Sequence, residues 1–248
     1  RGHPARCMSL LAWHDEGVTV PTAQDLEALA KPWPLLSDYC LYYAGSAHLK
    51  AGRLDDGFRV LGRIPKDSSL YSRAAQKRAE AAARGGRLEA GIALLRQLLE
   101  IDKRGRQESW ALYGELLRRA GRMEASQAAL VEALIRNPAS ASAKELRGQL
   151  AEGPDLGPKQ LLRIGKAYQK RHLHKRALKA LKKAAKGLPK ASKPRCEALL
   201  GIGKTYEKMK KRKKAWKIYD RALSCQGESR ALATFWGGRN RLRAGKLG

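Results

Sequence analysis

The sequence predicts an all-α fold, an α-solenoid of about five helical hairpins followed by the first helix of a sixth. One observation behind this is the apolar composition, in which Ala and Leu dominate and only 6% of residues are aromatic. Ala and Leu favour helices, whereas aromatic and β-branched residues favour strands. The other observation is a returning motif: "IGKAYQKRHLHKRALKAL" at Ile164–Leu181 and "IGKTYEKMKKRKKAWKIY" at Ile202–Tyr219 have equivalent positions 38 residues apart.

A pair of small residues 12 positions apart marks each hairpin. Two antiparallel helices joined by a short turn approach closely only where both present a small side chain at the crossing. Successive first members are 34, 35, 51 and 38 residues apart, and Gly238 follows Gly203 by 35. The pairs are Gly45 with Gly57, Ala79 with Gly91, Gly114 with Ser126, Gly165 with Ala177, and Gly203 with Ala215.

The turns between the paired helices also have a pattern. Gly52, Gly86 and Gly121 stand where a first helix ends, and they are predicted to adopt the left-handed conformation of a helix cap. Acidic residues then fall in the first turn of the second helix, where the helix dipole favours them. These acids are Asp55, Asp56, Glu89 and Glu124.

Spacing and chain-breaking residues divide the sequence into four segments. The 51-residue step holds one extra helix, around Ser140–Ala151, followed by the breaker-rich "EGPDLGP". We expect both chain ends to be internal to a longer protein, so that the last repeat group is truncated at Gly248. The predicted segments are a poorly patterned N-terminal segment and linker (1–34), a first helical-repeat group (35–151), a boundary (152–158), and a basic second helical-repeat group (159–248).

The net charge of +28 is concentrated in the second repeat group, where residues 159–217 hold 22 Lys or Arg against Glu197 and Glu207. A solvated helix face explains some of this charge, but the excess is larger than solubility requires. Such a field attracts polyanions of several kinds. We therefore predict a polyanion- or partner-binding face made of Lys175, Lys179, Lys182, Lys183, Lys186, Lys210, Lys211, Arg212, Lys213 and Lys214.

The residues that could carry chemistry support no catalytic, cofactor or metal site. His172 and His174 have a spacing that can ligate a metal, but they fall in an inter-helix turn without a third ligand nearby. "GIGKT" at 201–205 lacks the first glycine of a phosphate-binding loop and lies within a helix. No apolar stretch reaches the 18 residues that a membrane-spanning helix needs.

Cys196 and Cys225 are the cysteines whose positions suggest a use. Cys196 begins one predicted helix and Cys225 ends its antiparallel partner, so both lie at the open end of one hairpin. They are within reach of a disulfide there, and two free thiols are the alternative.

The hairpin pattern resembles the tetratricopeptide superfamily. Large, small and terminating residues stand at the family's positions in one unit, with Trp110, Tyr113, Leu117, Leu130, Ala133 and Asn137-Pro138, and again in another, with Leu161, Ile164, Tyr168, Leu181, Ala184 and Pro189. The chain departs from the family at Gly57 and Gly91, where alanine is preferred.

A narrower resemblance rests on Pro34–Leu99, with "LSDY" at its start, "YY" before the first small glycine and "IPKDSSL" after the first hairpin. These motifs are similar to the α-superhelical N-terminal region of soluble lytic murein transglycosylases, over Leu35–Gly248. That family cleaves the glycan with a single Glu in a C-terminal lysozyme-like domain. No stretch here resembles that domain, so no catalytic residue is transferred, and the resemblance implies a periplasmic location, which the disulfide would fit.

The sequence leaves several functions open. The first is a non-catalytic scaffold of a cell-wall lytic transglycosylase, positioning peptidoglycan, another anionic wall polymer or partner proteins. The alternative is a free-standing tetratricopeptide adaptor that binds proteins through its concave surface, with a cytoplasmic location as the corresponding alternative. Nucleic-acid binding is a third class, which the lack of aromatic residues interleaved with the lysines disfavours. No cofactor and no catalytic activity are expected of this chain.

Overall fold

A computed structural model describes residues 22–32, 34–101, 106–190 and 192–245, and all regular structure in these ranges is helical. A short 3₁₀ turn precedes the second helix and another follows the twelfth. The α-helices are α1 Ala23–Ala30, α2 Ser37–Lys50, α3 Leu54–Leu61, α4 Tyr71–Arg84, α5 Leu88–Ile101, α6 Gln107–Arg119, α7 Met123–Arg136, α8 Ala143–Glu152, α9 Pro158–Lys170, α10 His174–Gly187, α11 Lys193–Lys208, α12 Arg212–Arg221 and α13 Glu228–Leu242.

The helices form two compact units, which meet in the sequence between Arg122 and Met123. In the first unit, α2 packs against α3 and α4 packs against α5 as consecutive hairpins. In the second unit, α9 pairs with α10 and α11 pairs with α12. The first helices of successive hairpins also touch, α2 with α4 in the first unit and α9 with α11 in the second. The predicted all-α solenoid of tetratricopeptide-like hairpins is thereby confirmed.

Glycine at the crossing of each hairpin allows the close approach. A Cβ added at Gly91 would lie 2.8 Å from the carbonyl oxygen of Ala79, its predicted partner. The first glycine of a hairpin also leaves room for a large residue 16 positions later. A Cβ at Gly165 would lie 2.6 Å from Cγ of Leu181, and one at Gly203 would lie 2.5 Å from Cε1 of Tyr219. Pairing with this larger residue was not predicted.

The turns follow the predicted pattern in the first unit and depart from it in the second. Gly52, Gly86 and Gly121 have φ of +79°, +78° and +73°, so the left-handed cap is confirmed. In the second unit the equivalent positions are His172 and Lys210, with φ of +57° and +59°. A side chain in this conformation is uncommon, because its Cβ crowds the following carbonyl.

The acids of the first unit have a second role besides facing helix dipoles. Asp55 Oδ1 lies 2.5 Å from Nη2 of Arg87, and Glu89 Oε2 lies 2.9 Å from Nη2 of Arg122. In each case the arginine belongs to the turn of the next repeat. The turns of the first unit are therefore joined by a ladder of acid–arginine pairs.

The N-terminal segment contains a helix that the sequence did not predict. Leu26 and Ala30 of α1 are buried, and α1 packs against α2. Oε1 of Glu27 lies 3.0 Å from Nε2 of His48, which is also buried. The poorly patterned sequence of this segment gave no indication of α1, because α1 packs on the first hairpin without following the repeat. The bounds of the N-terminal segment, 1–34, stay a prediction. Residues 1–21 lie outside the described ranges.

The 51-residue step contains the extra helix that the sequence predicts. This helix is α8, and it packs against α7, which also contacts α9. The segment 152–158 lies inside the second compact unit. A domain boundary at that segment stays a prediction. No helix in the described ranges is long and apolar enough to cross a membrane.

The crossing glycine of the second unit gives a stability prediction. Gly203→Ala places a Cβ within 2.5 Å of the buried Tyr219 ring, and overpacking of this kind costs about 1–3 kcal/mol. We expect a lower urea midpoint with native-like helix content. Gly238 is the matched control, since it occupies the equivalent place in α13 and an added Cβ meets nothing within 4 Å. Gly238→Ala is expected to leave the midpoint unchanged or raise it, and an equal loss in both variants would contradict the crossing argument.

Candidate functional site

The repeat position that holds Asp55, Glu89 and Glu124 in the first three turns holds lysine in the next two. Lys175 and Lys213 occupy the repeat positions of Asp55 and Glu89, in the first turns of α10 and α12. Cations near a helix N-terminus are opposed by the dipole, typically by about 0.3–1 kcal/mol each. These lysines therefore do not serve the local helix, and their charge points to another role.

Lysines at equivalent positions of two neighbouring first helices converge on one pocket. Lys166 and Lys170 lie one turn apart near the end of α9, and Lys204 and Lys208 repeat them 38 residues later in α11. The pocket has a volume of about 420 Å³. We call it the lysine pocket, and its lining residues are Lys166, Gln169, Lys170, His172, His174, Lys204, Thr205 and Lys208.

Hydrogen bonds between α9 and α11 hold the floor of the lysine pocket. Nε2 of Gln169 donates to the carbonyl oxygen of Gly201 and to Oγ1 of Thr205, at 2.7 Å each. The hydroxyl of Thr205 in turn donates to the same carbonyl at 2.8 Å. Since Thr205 is buried, this network fixes the distance between the two lysine-bearing helices.

The charge of the lysine pocket is mostly unpaired. Lys166 forms an ion pair with Glu197. Lys170, Lys204 and Lys208 are exposed and have no acidic side chain within ion-pair distance among the described residues. No carboxylate lines the pocket. The arrangement can accept several carboxylates or phosphates at once, because ammonium groups are strong donors to anionic oxygens.

The predicted basic face is exposed at all ten positions, but its residues do not share one direction. Lys179 and Lys183 line a separate cavity beside α8. Lys182 lies with its Nζ 5.3 Å from the centre of the Tyr206 ring, on the side of α11. Arg212 donates from Nη1 to the carbonyl oxygen of Arg243, at 3.1 Å. The other six are Lys175, Lys186, Lys210, Lys211, Lys213 and Lys214, which lie on α10, in the α11–α12 turn and at the start of α12.

The sequence reasoning missed the lysine pocket although a signal for it was present. Lys166 and Lys204 each follow the first small residue of a repeat by one position, and Lys170 and Lys208 follow it by five. Comparing repeats position by position outside the apolar positions would have found the pocket. The prediction instead selected lysines for their density along the sequence.

His172 and His174 lie together at the edge of the pocket, with ring centres 5.9 Å apart. Nδ1 of His174 is buried and has no hydrogen-bond partner among the described residues. Within the same residues, no three His, Cys, Asp or Glu side chains converge in a way that could hold a metal. The surrounding lysines would repel a cation, so the two histidines add to an anion-binding environment.

Three tyrosines near the lysines belong to the core, whereas Trp216 is half-buried and has Lys217 and Arg241 over its ring. Tyr168, Tyr206 and Tyr219 are 4%, 8% and 1% exposed, as core packing predicts. Burial raises the pKa of Tyr219 far above its ordinary value, with the charge of Glu207 adding to the effect, so its hydroxyl stays neutral. None of the three offers a ring face on which a nucleic-acid base could stack.

A disulfide joins Cys196 to Cys225 in the structure, with their Cα atoms 6.0 Å apart. Cys196 lies in the first turn of α11, and Cys225 follows the 3₁₀ turn after α12. Both are buried. The bond therefore closes the open end of the α11–α12 hairpin, at the opposite end of α11 from Lys204 and Lys208. Cys40 is also buried, and it takes no part in this disulfide.

No known protein family and no curated protein matches the chain. Among solved structures, it is similar to a tetratricopeptide repeat protein from Parabacteroides merdae, with 15% identity, 94% of this chain and 96% of that chain covered, and a TM-score of 0.47. It is also similar to MamA, with 18% identity, coverage of 76% and 91%, and a TM-score of 0.38. For YrrB, a tetratricopeptide protein, identity is 14%, coverage 90% and 100%, and the TM-score 0.39. The fold assignment rests on the packing of this chain's own helices.

The disulfide leads to a prediction about the second unit. Closing a loop with a sequence separation of 29 stabilises a fold by about 2–4 kcal/mol. Reduction, or Cys196→Ala with Cys225→Ala, is expected to lower the urea midpoint of the second unit. Intact mass without reductant should be two hydrogen atoms below the fully reduced mass. Cys40→Ala is the control variant, and it should leave that mass difference unchanged.

Proposed function

We propose that the chain is a non-catalytic helical-repeat scaffold that binds an acidic protein partner through the basic surface of its second unit. The arrangement of lysines in the lysine pocket is the main support for this function. Its four lysines come from equivalent positions of two first helices, and a hydrogen-bond network holds those helices at a fixed separation. Because the lysines recur at equivalent repeat positions, they form an ordered array of cations. A lysine-rich surface that only promotes solubility does not require such order.

The replacement of acids by lysines in two turns of the second unit supports the same function. In the first unit, acid–arginine pairs neutralise the turns, whereas Lys175 and Lys213 leave the turns of the second unit positive. Of the predicted basic face, Lys175 and Lys210 stand within two residues of His174 and Lys208, which line the lysine pocket, and their charge would raise the local concentration of an anionic partner.

A protein partner is favoured over nucleic acid by the surroundings of the pocket. Single-stranded nucleic acids bind where aromatic rings interleave with basic side chains. No Phe, Tyr or Trp is among the lining residues of the lysine pocket, and the tyrosines near it are buried. Carboxylates of an acidic polypeptide need only the ammonium groups, and the first helices of hairpin repeats present such groups along one side of the stack.

An envelope scaffold working with a lytic transglycosylase is the second candidate function. The specific observation in its favour is the Cys196–Cys225 pair, because disulfides persist in oxidising compartments such as the periplasm. Peptidoglycan stem peptides carry carboxylates that the lysine pocket could bind. The comparisons with known proteins add no support for this candidate, so it ranks below the general scaffold.

Reading the gene beyond the codon for Gly248 separates the two candidates. A following lysozyme-like domain with a cleft glutamate would favour the transglycosylase scaffold, and purified sacculi should then retain the protein. A stop codon soon after Gly248, with no retention on sacculi, would exclude it and leave the free-standing adaptor.

Binding to an acidic polypeptide tests the proposed function directly. We expect a fluorescein-labelled polyglutamate peptide to bind the wild-type chain at low salt, as measured by fluorescence anisotropy. Lys204→Gln with Lys208→Gln should weaken this binding about 5-fold, because each surface ion pair is worth up to about 1 kcal/mol.

The matched control is Lys190→Gln with Lys193→Gln, which removes the same charge at exposed positions outside the lysine pocket and outside the predicted basic face. If both double variants lost the same affinity for polyglutamate, net charge alone would explain the binding, and the lysine pocket would not be the binding site. Tighter binding of a polyuridylate than of polyglutamate at equal salt would overturn the choice of a protein partner.

A further inference from the structure

A second cavity lies in the second unit and shares no residue with the lysine pocket. Its volume is about 560 Å³, which is within the usual range for sites that enclose a small apolar group. The walls come from α8, the segment 153–156, α9 and α10. Its floor is apolar and includes Leu134, Leu150, Leu161, Ile164 and Tyr168.

The rim of the cavity is basic. Arg147 of α8 lies on one side, and Arg176, Lys179 and Lys183 of α10 lie on the other. Asp155 is the acid among the lining residues, and its Oδ1 lies 3.6 Å from Nζ of Lys183. Because Asp155 is fully exposed, this ion pair is weak, and the rim keeps an excess of positive charge.

Arg147 is the rim residue whose surroundings most favour binding of an anion. Its Nη1 is buried and has no hydrogen-bond partner among the described residues. A buried donor without a partner destabilises the free protein. A carboxylate entering the cavity mouth would accept that hydrogen bond, and guanidinium groups bind carboxylates in a bidentate manner.

The cavity exists because the repeat is interrupted. The helix α8 and the segment after it are inserted between α7 and α9, and they supply the wall that carries Arg147, Leu150 and Asp155. The side chain of Gln127 on α7 donates to the carbonyl oxygen of Pro154, which holds the segment in place. A regular 34-residue repeat would not contain this wall.

We infer that the cavity binds one large apolar side chain of an acidic polypeptide segment, with the flanking carboxylates held by Arg147, Arg176, Lys179 and Lys183. The inference rests on the proposed function, since it takes the partner to be an acidic protein. The apolar floor selects leucine or phenylalanine, and the basic rim selects Asp or Glu on either side. The lysine pocket binds charge alone, so the cavity supplies the sequence specificity that the pocket lacks.

Two labelled peptides test this inference with the complete chain. One is a run of Glu and Asp with a single central leucine, and the other has asparagine in place of that leucine. We expect the leucine peptide to bind about 10-fold more tightly, since burial of the side chain removes apolar area from water. Anisotropy titrations at one fixed salt concentration measure both.

Variants of the rim assign the effect to the cavity. Arg147→Gln and Lys183→Gln should each weaken binding of the leucine peptide several-fold. Lys190→Gln removes the same charge at an exposed position outside the cavity and outside the predicted basic face, and it should change binding less than two-fold. Asp155→Asn removes the competing carboxylate and should tighten binding. Lys183 is exposed, so its variant keeps the test valid even if Arg147→Gln unfolds the helix, which circular dichroism would reveal.

The outcomes separate this inference from the proposed function. Equal affinity for the two peptides, with no effect of Lys183→Gln beyond that of Lys190→Gln, would overturn the cavity site and leave acidic-partner binding intact. Absence of binding by every acidic peptide would overturn both. Binding of sodium laurate without binding of the leucine peptide would also overturn it, because the cavity would then take an anionic amphiphile.

Discussion

The close crossing of two helices at a glycine is the interaction on which the rest of this structure depends. Gly45, Gly165 and Gly203 each allow a large residue 16 positions later to reach the neighbouring helix, and those residues are almost completely buried. The crossing involves backbone and apolar side chains only. Consequently the outer positions of each helix are free to differ between repeats without a change in how the hairpins stack.

The two units use that freedom differently. In the first unit, the outer positions of the turns hold acid–arginine pairs, which neutralise one another. In the second unit, Lys175 and Lys213 replace the acids of two turns, and Lys170, Lys204 and Lys208 have no acidic side chain within ion-pair distance among the described residues. The same fold therefore has neutralised turns in one half and turns with unsatisfied charge in the other. The unsatisfied half is where both candidate sites lie.

Much of the fold could be predicted from sequence because it repeats. The spacing of small residues predicted the hairpins, and Gly52, Gly86 and Gly121 predicted their turns. The helix α1 escaped prediction because it packs on the outside of the first hairpin and follows no repeat. The sequence pattern also paired each first small residue with the one 12 positions later, since periodicity alone does not reveal that Leu181 or Tyr219 fills the adjacent space.

The lysine pocket and the cavity were harder to predict than the fold, each for its own physical reason. The lysine pocket depends on which of many lysines face each other across two helices, and charge density along the chain carries no such information. The cavity depends on an inserted segment whose position against α9 and α10 follows from tertiary packing, including the contact of Gln127 with Pro154. The sequence showed that the repeat is interrupted, but it did not show that the inserted segment forms a wall of a cavity.

The left-handed turns at His172 and Lys210 have a consequence for how this protein can vary. Holding a residue with a side chain in that conformation costs roughly 1–2 kcal/mol compared with glycine. The second unit bears this cost twice, at positions where the first unit has glycine. His172 lines the lysine pocket and Lys210 stands two residues from Lys208. Glycine at either position would therefore be expected to raise the melting temperature while removing a side chain that lies in or beside the lysine pocket.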